Sequence, residues 1–308
     1  MLLLLICLSI SHQKEFYPYE TSRNYISERD LQLTPNTIRK NHYYNIMTEF
    51  DVSFTSDPDS FTQITEIPDN LFYQCHINLL TITNHITIIG SRSFYRCTIN
   101  ELYFQPESKM TTISSYAFFS ATFVKSINIP DTVEIFGYSA FQNSNIQYIN
   151  FSKTKMIDKH AFHGCTKLKG SLIFPTTLES IGEYSFYQCK NLSDGLTFNY
   201  RNLKIGNSAF QGCIGLSESK ITFNNIEEDI ENSHQQCSIN LNIDDNAFKS
   251  IIFSSFDYQG KHQTECKNYI SQKVNISITT KKKNLKDAIR GSCGLFLEFV
   301  YDTDELTI

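Results

Sequence analysis

The sequence predicts a solenoid: coils of about 22–24 residues, stacked so that each adds one short strand to a parallel sheet. Three observations predict it. A phenylalanine returns at steps of 22, 24, 23, 21, 24, 24 and 38 residues, as Phe72, Phe94, Phe118, Phe141, Phe162, Phe186, Phe210 and Phe248. Neighbouring columns keep register with that ring. An alternating apolar pair then follows the ring in coil after coil, which is how a short strand with one buried face reads.

Each element follows from these columns. Five places before the ring stand Ile67, Ile89, Ile113, Phe136, Ile157, Ile181, Ile205 and Ile243. One place before it stand Leu71, Ser93, Ala117, Ala140, Ala161, Ser185, Ala209 and Ala247, nearly all small. Three places after it stand Cys75, Cys97, Ala121, Ser144, Cys165, Cys189, Cys213 and Ile251. The stretch from small residue to cysteine reads as a short helical or 3₁₀ turn, with one large ring filling the interior. The apolar pairs Leu80/Ile82, Leu102/Phe104, Ile127/Ile129, Ile149/Phe151, Leu172/Phe174, Leu196/Phe198 and Ile221/Phe223 read as strands. Pro106, Pro130 and Pro175 end three of them. A unit this short cannot bury its own apolar face, so the units must stack. The Phe and Ile columns then become internal ladders.

Two segments carry a specific motif: Ile127-Asn-Ile-Pro130 with Val133 and Ala140-Phe141, and Leu178-Glu-Ser-Ile-Gly-Glu-Tyr-Ser-Phe186-Tyr-Gln-Cys189. This pattern closely resembles the BspA-like leucine-rich repeat, over residues 62–253. The resemblance implies a leucine-rich-repeat solenoid of the α/β class, mainly β. It also implies a surface antigen or secreted protein, of the kind microbes use in adhesion and host-protein recognition.

Around the repeats lie residues 1–13, read as a signal peptide, and flanks 14–61 and 254–308, read as caps on the end coils. An acidic insert, 224–242, carries Glu227, Glu228, Asp229 and Glu231 and is expected to loop out. Lys281–Lys283 and the short helical pattern 285–290 read as solvated surface or cap. No segment is apolar for the roughly 20 residues a membrane helix needs.

Composition narrows the function. Lys and Arg total 27 against 32 Asp and Glu, giving a net charge of −5 and no general pull toward nucleic acid. The chain has no GxSxG, HExxH, P-loop or GxGxxG motif, so no catalytic residue, cofactor or metal is assigned. Two His/Cys pairs, His234 with Cys237 and His262 with Cys266, are too little support for zinc. The cysteine column reads as buried free thiols, because Ala, Ser and Ile share it. Cys237, Cys266 and Cys293 lie outside the column, with Cys266–Cys293 the preferred disulfide in an oxidising compartment.

The expected function is recognition or adhesion without catalysis, at the cell surface or after secretion. The partner would be a protein or a cell-surface macromolecule. An intracellular scaffold for protein–protein contact is the alternative. The tentative contact residues are those between the buried pairs: Tyr103, Asn128, Asn150, Ile173, Thr197 and Thr222, with Tyr148 beside them. Asn150, Asn191 and Asn275 begin N-glycosylation sequons. A glycan on Asn150 is expected to compete with use of the strand face.

Overall fold

The computed structural model describes residues 30–33, 43–44, 50–54, 65–200, 202–225, 240–244, 246–251 and 255–260. The chain divides into two compact units, Met1–Gln147 and Tyr148–Ile308. Each is a stack of coils whose strands pair in parallel. The one helix among the described residues is the 3₁₀ turn Ile214–Leu216.

In the first unit, the longer strands Asp30–Leu33, Phe50–Phe54, His76–Ile82, Thr98–Phe104 and Thr122–Phe123 form one ladder in that order. The isoleucine column forms a second. Ile67 pairs with Ile89, Ile89 with Ile113 and Ile113 with Phe136. In the second unit, Gly170–Phe174, Leu192–Tyr200, Lys220–Asn225 and Ser255–Gly260 form the longer ladder. Ile157, Ile181, Ile205 and Ile243 pair in sequence in the other. The sequence columns are therefore rungs of hydrogen-bonded ladders.

The phenylalanine column is the core. All eight rings are at most 1% exposed. In the first unit Phe72, Phe94, Phe118 and Phe141 stack at 5.5, 5.2 and 5.1 Å. In the second Phe162, Phe186, Phe210 and Phe248 stack at 5.2, 4.9 and 5.3 Å. A second ring ladder there, Phe151, Phe174, Phe198 and Phe223, stacks at 5.2, 4.8 and 4.8 Å. The two ladders meet edge to face, as between Phe151 and Phe186 at 89°. Stacking within a column and edge contact between columns are both favoured by the ring quadrupole.

The stretch around each ring is a run of tight turns rather than a helix. Residues two places before and two places after every ring are left-handed: Asn70/Gln74, Arg92/Arg96, Tyr116/Ser120, Ser139/Asn143, His160/Gly164, Tyr184/Gln188, Ser208/Gly212 and Asn246/Ser250, at φ 51–76°. Alternating handedness sends alternate amides in different directions. In the Phe162 coil, the N–H groups of His160, Phe162 and Gly164 donate to carbonyls of Glu183, Ser185 and Tyr187 in the next coil. Those of Ala161, His163 and Cys165 donate back within the turn, to Asp158, His160 and Phe162. Every amide of the turn is thereby satisfied, which offsets the cost of about 1–2 kcal/mol of each non-glycine left-handed residue. The glycine of the motif has a separate cause. A Cβ at Gly182 would lie 2.4 Å from the amide nitrogen of Lys159, so the coils approach too closely for a side chain.

Two predicted strands are absent. Residues 126–130 and 144–151 carry no strand, although Ile127, Ile129 and Phe151 are buried. Leu102, Phe104 and Ile149 are only half-buried. The apolar pair stands 8 and 10 residues after Phe72 and Phe94, but 9 and 11 after Phe118 and 8 and 10 after Phe141. Arms of unequal length do not keep amides opposite carbonyls unless something takes up the slack. After Phe210 the 3₁₀ turn Ile214–Leu216 supplies that slack, and the pairing of Leu196 with Ile221 survives.

Strands within the flanks continue the ladders: Phe50–Phe54 pairs with His76–Ile82, and Ser255–Gly260 with Lys220–Asn225. At the insert, Lys220–Asn225 and Asn240–Ile243 include both its ends, and 226–239 lie outside the described residues. The signal-peptide segment, Cys237, Cys266, Cys293, Asn275, the His/Cys pairs, Lys281–Lys283 and 285–290 also lie outside them.

Candidate functional site

The strand rows hold the first set of candidate residues. Strand alternation turns Tyr103 outward from Thr98–Phe104, where it is 50% exposed. Asn128 is exposed but lies outside any strand. In the second unit Ile173 is 60% exposed. It pairs with Thr197, and Thr197 pairs with Thr222, so these three share one row. Thr197 is half-buried. Thr222 is buried, contrary to expectation, although Thr197, the same residue on a strand likewise flanked on both sides, is not.

Tyr148 is half-exposed beneath the Lys169 ammonium, 5.1 Å from the ring centroid, a cation–π contact. Asn150 is exposed, outside any strand rather than within one. Its side-chain oxygen accepts from the Ser152 N–H at 3.1 Å and the Ser152 hydroxyl at 2.8 Å. Asn191 is exposed on the turn before Leu192–Tyr200.

The cysteine column is sealed. Cys75, Cys97, Cys165, Cys189 and Cys213 are buried and form no disulfide. The Cys189 and Cys213 thiols donate to the carbonyls of Phe162 and Phe186 at 3.1 and 2.9 Å. Burial pushes the Cys97 and Cys189 thiols well up, away from the reactive thiolate. No group of three or more His, Cys, Asp or Glu suited to a metal ion occurs among the described residues.

A second set of rows escaped the sequence reading. The residues two places before and one place after the buried rings reach the surface of the turn in most coils, Ser139 and Ser208 being the buried exceptions. In the first unit Tyr73, Tyr95 and Phe119 stack at 5.2 and 4.8 Å, nearly coplanar at 6° and 5°. Tyr116 tilts against Tyr95, Phe119 and Tyr138. Arg92 and Arg96 lie over Tyr116 and Tyr95, at 5.0 and 5.4 Å. In the second unit the same columns hold His160 and His163, with Nδ1 atoms 3.0 Å apart, beside Tyr184 and Tyr187. Burial lowers both histidines; for His160 it outweighs the Glu183 carboxylate, and for His163 the neighbouring His160 adds to it. The signal was present in the sequence as two further periodic columns, masked because their residues change from coil to coil.

Parallel coils, internal ring ladders and side chains displayed in fixed rows define a solenoid repeat protein. The model of the BspA type leucine rich repeat region matches residues 36–169 and 152–287, with six copies, and the chain belongs to that family. Among solved structures, the pneumococcal vaccine antigen PcpA is similar at 16% identity, over 93% of this chain and 82% of that chain, with a TM-score of 0.37. The T. pallidum leucine-rich repeat protein TpLRR is similar at 17% identity, over 88% of this chain and 92% of that one, with a TM-score of 0.26. No curated protein matches the chain.

Proposed function

We propose that this protein is an exported, non-enzymatic recognition or adhesion module whose strand rows bind a protein or cell-surface macromolecule. One observation carries the proposal: large side chains stand outward, Tyr103 and Ile173 on paired strands at 50% and 60% exposure and Tyr148, outside any strand, at 50%. Tyrosines fixed by the backbone lose little entropy on binding and commonly anchor interfaces. Among the described residues no helix is long and apolar enough to cross a membrane.

Export is tested by N-terminal sequencing of the protein from its native cell. A mature start near residues 12–15 supports it, and an intact Met1 in the cytosol overturns it. The exposed sequons at Asn150 and Asn191 add a readout, since glycopeptides at either would place the chain in the secretory route. A second reading, an intracellular scaffold, is favoured by the five buried cysteines that form no disulfide, which suit a reducing compartment. Under the first reading, a glycan on Asn150 and partner contact around Tyr148 and Ile173 exclude each other. Full glycosylation of Asn150 with binding still sensitive to Tyr148→Ala would sink that use of the strand row.

A further inference from the structure

We propose that the aromatic and arginine row on the turn of the first unit is a docking surface for an acidic, extended segment of a partner protein. It comprises Tyr73, Tyr95, Tyr116 and Phe119 with Arg92 and Arg96. It is separate from the strand rows and does not depend on the reading given to them.

The stacking of the rings limits what the row can recognise. Sugars and nucleic-acid bases bind aromatic side chains by lying on their faces. Here Tyr95 has one face against Tyr73 and the other against Phe119, so its faces are taken. At Tyr95, the centre of the row, what is offered to a partner is the ring edge. The edge is the electropositive part of the quadrupole and attracts carbonyl and carboxylate oxygen.

Charge points the same way. Arg92 and Arg96 are exposed, and among the described residues neither has a carboxylate ion-pair partner, unlike Lys125 with Glu101 or Lys159 with Glu183. Arg92 is held over the Tyr116 ring and Arg96 stands 5.4 Å from the Tyr95 centroid, contacts that lower the entropy lost when a guanidinium grips a carboxylate. Burial raises the Tyr116 hydroxyl, and its contact with Tyr138 adds to this; Arg92 opposes both. The hydroxyl therefore stays protonated and uncharged. Two cations and the positive edge of Tyr95 thus stand together on a chain of net charge −5. The row follows the stacking direction across three coils, which suits an extended segment better than a compact ligand. Tyr and Arg are also the side chains most enriched at interface hot spots. The row is bounded: after Phe141 the corresponding column holds Gln142, and two places before that ring stands the buried Ser139.

The experiment uses the full chain and fluorescently tagged synthetic peptides alternating Glu and Pro, Gln and Pro, or Lys and Pro. Arg92→Asn and Arg96→Gln install the residues found at the equivalent left-handed positions, Asn70 and Gln74, so folding should be retained and is checked by thermal melting. The Glu peptide should bind, more weakly as salt rises, and the Gln and Lys peptides should not. The double variant should bind at least about tenfold more weakly, whereas Tyr103→Ala on the strand row should change nothing. Equal binding of the Glu and Gln peptides overturns the proposal, as does an unchanged double variant. Preferential capture of heparin would assign the row to an anionic glycan, which also overturns it. So would self-association, read by sedimentation, that the double variant abolishes in the absence of peptide binding, because the occupant would then be a second copy with its own acidic run.

Discussion

Phe186 shows what one side chain does in this fold. It stacks on Phe162 at 5.2 Å and on Phe210 at 4.9 Å, and the edges of Phe151 and Phe174 close on it. Deleting the ring leaves a cavity walled by those four rings, which the hydrogen-bonded ladders hold apart. Phe186→Ala should therefore cost about 3–5 kcal/mol, read as a lower midpoint in urea, while exposed Lys190→Ala should stay within about 0.5 kcal/mol. Equal midpoints would show that the ring column is not the core. The histidine pair gives a pH signature. Burial holds His160 and His163 below their ordinary range, so the unfolded chain binds more protons near and below that range. Their contribution to stability is present above about pH 6.5 and is lost as pH falls through it toward the lowered folded values. The thermal midpoint should drop as pH goes from about 7.5 to 5.5, and His160→Asn with His163→Gln should flatten that drop. At this scale the inward columns were legible because they repeat one chemistry. Tyr95, Arg92 and His163 were not, because their columns vary in residue type while keeping position.

The turn is the element where sequence and structure part most clearly. Its spacing of a small residue, a ring and a cysteine suggested a short helical or 3₁₀ turn; the i−3 bonds of such a turn are present, but left-handed residues flank every ring and keep it from being helical. Residue type announces this only in part: Asn70, Asn143, Gly164, Gly212 and Asn246 favour the left-handed region, but Arg92, Tyr116, Tyr184 and Gln188 do not, and hydrogen bonds to the next coil impose the conformation on them. The strain should be measurable. Gln188→Val should lower stability by about 1–2 kcal/mol, because a β-branched side chain tolerates positive φ worst. Gln188→Gly should be neutral or stabilising. If Val and Gly variants melt together, the left-handed assignment fails. The thiols belong to the same element. Cys75, Cys97, Cys165, Cys189 and Cys213 should react with iodoacetamide only after denaturation, being both buried and protonated. Labelling of any of them in the native protein, or a mass-mapped link between two, would contradict the sealed column.

For the molecule as a whole, each coil draws its stability from its neighbours, so the fold behaves as a one-dimensional chain of interfaces. That is also why so much of it could be read from the sequence. A repeat states the same packing problem many times, and Ile157, Ile181 and Ile205 each solve it in the same way. The missing strands at 126–130 and 144–151 were not legible, since alternation tells which side a residue faces and not whether adjacent arms match in length. The binding surface was legible only in part: Ile173, Thr197 and Thr222 share one row and one place in the alternation, yet they are exposed, half-buried and buried in turn, which no local pattern reveals. Nearest-neighbour coupling makes a sharper prediction for hydrogen exchange in the second unit. The amides of Phe162, Phe186 and Phe210 donate to Ser185, Ala209 and Ala247, one coil further on in each case. In Phe186→Ala, the damaged coil supplies the acceptor for Phe162 and the donor of Phe186 itself, so those two amides should lose the most protection. Phe210 bonds forward to a coil that is intact, and it should lose less. A common acceleration of all three amides would mean that the second unit opens only as a single cooperative body, and the interface-by-interface description would have to be abandoned.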